Sequence, residues 1–132
     1  MKLSAELLDA IFETIPLELT VIDGHDAIVG WNARAPRIFA RKPEVLGTDV
    51  RRCHSEQSMG MLERMLAEMK SGARDAARFW YDRKAASGGA EGKVLVEYFA
   101  VRDGAGRYLG CVEAVRMIDD PGRFEGERRT LV

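Results

Sequence analysis

Residues 93–117 read KVLVEYFAVRDGAGRYLGCVEAVRM, and this stretch decides the fold. Residues 93–102 are dense in Val, Leu, Tyr and Phe, the side chains that fit a pleated surface, and residues 107–117 repeat that character. Between them Asp103-Gly104-Ala105-Gly106 supplies the small and turn-forming residues of a tight connection. Two strands joined so closely must pair antiparallel. Alternation puts Val94, Val96, Tyr98 and Ala100 on one face and Leu95, Glu97, Phe99 and Val101 on the other. Both faces are largely apolar, so each needs a cover.

Working outward, residues 76–82 predict a third strand, tied to the second by a connection over 84–92 rich in Gly, Ala and Ser that reads as a mobile hairpin loop. Before it, Met59, Leu62, Met65, Leu66 and Met69 recur at spacings of three and four, which predicts a helix over 55–70. Ser55 can cap its start, and Ser71-Gly72 ends it. Residues 17–23 and 27–31 form a first hairpin around the turn Asp23-Gly24-His25-Asp26. Asn32 is placed to cap a short helix running through Ala40 and carrying Ile38 and Phe39, and Pro43 opens a single turn that Gly47 closes.

At the front, residues 4–14 predict an amphipathic helix with Leu7, Leu8, Ile11 and Phe12 on one side and Ser4 as its cap. A helix this short is marginal alone in water, where about 12–15 residues are needed, so its apolar side must dock. The chain divides into this helix over 1–14, a domain over 15–118 and a charged, Pro- and Gly-containing segment over 119–132. That last segment reads as a linker or the start of a signalling helix.

The bulk properties narrow the function. The 132 residues, 46% of them hydrophobic, suffice for one core. Twenty basic against 21 acidic side chains leave a net charge of −1 and no electrostatic footprint for nucleic acid or a lipid surface. No apolar run approaches the ~20 residues that span a bilayer, and no secretory leader pattern is present, so a soluble cytoplasmic location is expected. Cys53 and Cys111 show no metal spacing, and His25 and His54 are the only histidines, which leaves little material for a catalytic triad or a metal site. No enzyme is expected.

The order strand, strand, short helices, long helix, three strands resembles the PAS fold. Val21-Ile22-Asp23-Gly24 with Ile28-Val29-Gly30-Trp31-Asn32 looks like the opening PAS hairpin. Ala100-Val101-Arg102-Asp103-Gly104-Ala105-Gly106-Arg107-Tyr108-Leu109-Gly110 is similar to the last one. Cys53-His54, Phe79-Trp80, Tyr98-Phe99-Ala100-Val101-Arg102-Asp103 and Phe124-Glu125-Gly126-Glu127-Arg128-Arg129 look like the PAS domains found beside hemerythrin-like domains, with Ser55 replacing the proline expected after Cys-His. The resemblance implies an α+β fold: a five-stranded antiparallel sheet with helices packed on one face, enclosing a small pocket, and a role in sensing or association, commonly as a dimer.

On that basis the expected pocket is His54, Met59, Leu62, Met65, Leu66, Val94, Val96, Tyr98, Tyr108 and Val112, fitted to a small apolar or amphipathic ligand. Tyr108, Gly110 and Val112 are assigned to the helix side by the resemblance. The expected homodimer interface joins Leu7, Leu8, Ile11 and Phe12 to outer sheet positions such as Leu95 and Phe99. His54 has two readings: a residue near the helix cap, or the axial ligand of a heme in a redox or gas sensor. Cys53 is either a small buried side chain or a thiol activated by Arg51, Arg52 and helix amides. A third function, a pure dimerisation domain with its pocket filled by its own side chains, stays open beside ligand sensing.

Overall fold

A computed structural model of the chain describes residues 1–84, 90–118 and 126–129. Helix α1 (Ala5–Thr14) precedes the hairpin β1 (Glu18–Asp23) and β2 (Ile28–Trp31). Two single 3-10 turns follow at Pro43–Val45 and Val50–Cys53, then the long helix α2 (Glu56–Ser71) and strands β3 (Ala76–Lys84), β4 (Ala90–Arg102) and β5 (Tyr108–Met117). The strands make one antiparallel sheet in the order β2-β1-β5-β4-β3. This is the expected α+β architecture. Strand β4 begins at Ala90, so the expected loop gives way to strand at 90–92, while residues 85–89 lie outside the described residues. So does the C-terminal segment, apart from 126–129.

The β1–β2 and β4–β5 hairpins turn on the same device. Asp23 Oδ1 accepts from His25 N and Ala27 N, and Asp103 Oδ1 accepts from Ala105 N and Arg107 N. Each carboxylate satisfies two backbone donors that the turn leaves without a ladder partner. Outside β2, the segment 47–49 pairs with the strand through Gly47 N to Ile28 O and Ile28 N to Thr48 O, which covers part of an otherwise open sheet edge.

Helix α2 lays Leu62, Met65, Leu66 and Met69 onto Ile22, Ile28, Val94, Val96 and Val115. Each of these side chains contributes about 1.5–3 kcal/mol by leaving water. Gly72, in the left-handed region at φ 85°, ends the helix as expected. Ser55 occupies the cap position but makes no capping bond; its hydroxyl pairs with that of Ser58 instead.

Residues 33–40 do not form the expected helix, and Asn32 is no cap. Asn32 is fully buried, and its side chain accepts from Leu19 N and donates to Leu17 O and Phe12 O. Its hydrogen-bonding capacity is spent on joining the ends of β1, β2 and α1. The segment after it is held by side chains rather than by helical bonds: the Glu18 carboxylate accepts from Ile38 N and Phe39 N, and Arg37 donates to Asn32 O and Phe39 O.

The last hairpin holds an irregularity that redirects one strand. Val101 pairs with Gly110 and Arg102 with Tyr108, so Leu109 has no opposite number. One extra residue reverses the alternation beyond it. Tyr108 and Cys111 both pack on the helix side, and so do Glu113 and Val115, whereas Val112 sits between Val21 and Phe99 on the outer face. The assignment of Val112 to the pocket is therefore corrected. Gly110, at φ 154°, makes the bulge possible: a Cβ there would overlap the Ile22 carbonyl oxygen of β1.

On the outer face Leu19, Leu95 and Ala114 are buried, but Trp80, Phe99, Val101 and Leu109 are exposed. Ser4 caps α1 through Leu7 N as expected, yet no residue of the helix is buried. Leu7, Leu8 and Ile11 remain 48, 50 and 40% exposed.

Candidate functional site

Between α2, the segment 38–41 and the inner face of β3–β5 lies a cavity of about 730 Å³. Leu62 and Met65 descend from α2, and Phe79 and Val96 rise from β3 and β4, to make one apolar wall. Ile38, Phe39 and Tyr81 close another side, with the Phe39 and Tyr81 rings stacked at 6.3 Å between centroids. Cys53, Ser55, Ser58 and Met61 also line it, and Cys53, Ser55 and Met61 are exposed there.

A partly buried polar cluster lies against these apolar walls. Arg41 donates to Glu113 Oε1 at 2.9 Å and to Thr20 Oγ1 at 3.3 Å. The Tyr98 hydroxyl donates to Glu113 Oε2 at 2.5 Å, and the Tyr98 hydroxyl oxygen stands 3.4 Å from His54 Nε2. His54 Nδ1 is 3.1 Å from the Val50 carbonyl. Burial, reinforced by the Glu113 carboxylate, pushes the Tyr98 phenol far above its ordinary range, so the hydroxyl keeps its hydrogen. Beside this cluster a second pair, Arg37 with Glu18 at 3.7 Å, anchors the segment that carries Ile38, Phe39 and Arg41.

Of the pocket residues expected from sequence, His54, Leu62, Met65, Val96 and Tyr98 line the cavity. Leu66 and Val94 are buried in the core outside the lining, and Met59 packs at its edge. Tyr108 is half-buried near Cys111, whose thiol burial pushes up to about 11. The inward set also holds charged side chains. Arg41 and Glu113 were not anticipated, because they are separated by 72 residues and only the bulge turns Glu113 inward. Phe79 and Tyr81 were within reach of the alternation of β3. Cys53 is exposed at the cavity rather than buried.

Heme ligation does not fit this arrangement. The Tyr98 hydroxyl oxygen, 3.4 Å from His54 Nε2 and bound to Glu113, crowds the ring nitrogen that an iron would use. Among the described residues no group of three or more His, Cys, Asp or Glu is arranged to hold a metal ion. No helix among them is long and apolar enough to cross a membrane.

A sequence model described as a PAS domain matches residues 8–119. Among solved structures, the C-terminal domain of a Streptococcus mutans protein is similar at 30% identity and a TM-score of 0.73, over 87% of this chain and 85% of that one. The PAS domain of BvgS from Bordetella pertussis aligns at 15% identity and a TM-score of 0.64, over 89% and 88% of the two chains. A sensory box sensor histidine kinase from Vibrio cholerae aligns at 14% identity and a TM-score of 0.56, over 86% and 90%. These last two likenesses speak for the fold alone. A search of curated proteins finds no match.

Proposed function

Because the chain belongs to the PAS domain family, a family of sensory signalling modules, we propose that it binds a small amphipathic molecule in the cavity between α2 and the sheet and signals through contacts with a second copy. The observation that carries this reading is the composition of the cavity: apolar walls converge on a cluster of four hydrogen-bonding side chains, the buried Tyr98 and Glu113 and the half-buried Arg41 and His54. That is the make-up of a site that buries a ligand's body and orients its polar end. Every charge in the cluster already has a partner, which suits recognition better than catalysis, and a cytoplasmic place is consistent with the composition. The motifs Cys53-His54 and Phe79-Trp80 support grouping it with the PAS domains that neighbour hemerythrin-like domains.

Replacing Val96 with Trp should fill the cavity at an overpacking cost of about 1–3 kcal/mol and weaken binding of an apolar fluorescent probe by about tenfold or more. Glu97→Ala, one residue along and paired with Arg78 at 3.0 Å away from the cavity, should leave probe affinity unchanged. Fluorescence titration decides; the reverse pattern would place β4 one residue out of register.

The association half of the proposal rests on two exposed apolar surfaces, the α1 side with Leu7, Leu8 and Ile11, beside which Phe12 is half-buried, and the outer sheet with Trp80, Phe99 and Val101. Leu95 is already covered within one chain at 6% exposure, so Phe99 rather than Leu95 is available to a partner. Sedimentation should show a dimer that dissociates when residues 1–14 are removed. A monomer at high concentration, unaffected by the truncation, would exclude this interface.

A further inference from the structure

The hydrogens in the polar cluster can be assigned, and one is missing. A carbonyl oxygen only accepts, so His54 Nδ1 carries the proton that bonds Val50 O, and in the neutral imidazole Nε2 then presents a bare lone pair. The Glu113 carboxylate, paired with the Arg41 guanidinium, also only accepts, which commits the single hydroxyl hydrogen of Tyr98 to Glu113 Oε2. Tyr98 oxygen and His54 Nε2 then face each other at 3.4 Å as two acceptors with no hydrogen between them. Two such lone pairs at the edge of a cavity form a site for a donor.

We propose that the ligand of this cavity is a neutral molecule whose polar end is an O–H or N–H donor, seated against His54 Nε2 and the Tyr98 hydroxyl oxygen. The inference rests on the reading of the cavity as a ligand site and adds the chemistry of what enters it. Neutrality follows from the Arg41–Glu113 pair, whose side chains are 12 and 5% exposed: each compensates the other, so a charged ligand would arrive with no counter-ion and lose its hydration. The body of the ligand is apolar, matching Leu62, Met65 and Val96.

The test uses pairs of probes that differ only in the donor: indole with 1-methylindole, and 4-ethylphenol with its methyl ether, titrated calorimetrically into the intact protein. The donor member of each pair should bind about tenfold or more tightly. The preference should shrink towards unity in His54→Phe, while the methylated members keep their affinity. Nitrogen-15 spectra of the free protein should show His54 protonated at Nδ1 alone, a readout that needs no variant to fold. Equal or tighter binding of the methylated probes overturns the donor requirement while leaving the cavity a ligand site. Protons on both ring nitrogens of His54 overturn it too, because the imidazolium then fills the gap itself. If no probe binds, or Val96→Trp leaves binding of every probe unchanged, the ligand-site reading fails and the donor proposal with it.

Discussion

Gly110→Ala should destabilise the protein by about 3–5 kcal/mol, the range reserved for substitutions that break a specific structural requirement. Two costs combine. A backbone at φ 154° is glycine territory, where a side chain adds about 1–3 kcal/mol of strain. The new Cβ would also overlap the Ile22 carbonyl oxygen, a backbone atom of β1 in the middle of the sheet that has no rotamer by which to move aside. Relief requires β1 and β5 to separate where Ile22 pairs with Cys111 and Asp23 with Gly110. Equilibrium urea unfolding measures the loss as a lower midpoint at unchanged slope. Gly104→Ala is the control: nothing lies within 4 Å of its Cβ position, and its effect should stay within about 0.5 kcal/mol. Similar midpoints for the two variants would remove the bulge as a structural requirement.

The second large effect is expected at Glu113. Its carboxylate takes Arg41 on one oxygen and Tyr98 on the other, and its side chain is 5% exposed. Glu113→Ala strands a nearly buried guanidinium and takes the partner of the Tyr98 hydroxyl, at a cost of about 3–5 kcal/mol. Glu113→Gln keeps the shape and one acceptor and should lose clearly less. Pairing Glu113→Ala with Arg41→Met should recover part of the stability, since the penalty comes from the abandoned charge rather than from the missing carboxylate. Strictly additive losses in the double variant would mean that the two groups do not act as a pair.

The sheet was legible because its signals are local. The Asp-Gly turns at 23–26 and 103–106 and the alternation in β4 are each contained within a dozen residues, and the burial of Val94, Val96 and Tyr98 follows directly from them. What escaped the sequence depends on distant partners. An Asn after a strand has the same donors and acceptors whether it caps a helix or braces three chain segments, and only the closeness of Leu17, Leu19 and Phe12 decides for Asn32. The reversed alternation of β5 had one visible trace, a lone Gly inside the strand, which is how a bulge shows itself. Without that step Glu113 is assigned to the outer face, and the polar half of the cavity vanishes with it.

Helix α1 carries a different kind of consequence. None of its residues is fully buried, and its C-terminal end is held to the rest of the chain where Asn32 Nδ2 donates to Phe12 O and Ala33 N donates to Glu13 Oε2. With none of its residues fully enclosed, α1 should open locally at a lower free energy than the sheet, whose core strands are buried. A segment with so low a threshold is set by its surroundings: a surface that covers Leu7, Leu8 and Ile11 raises the threshold by the whole free energy of that contact. Were a second copy to cover that surface, as proposed, the proportion of molecules in which α1 is ordered would measure occupancy while the sheet stays fully folded.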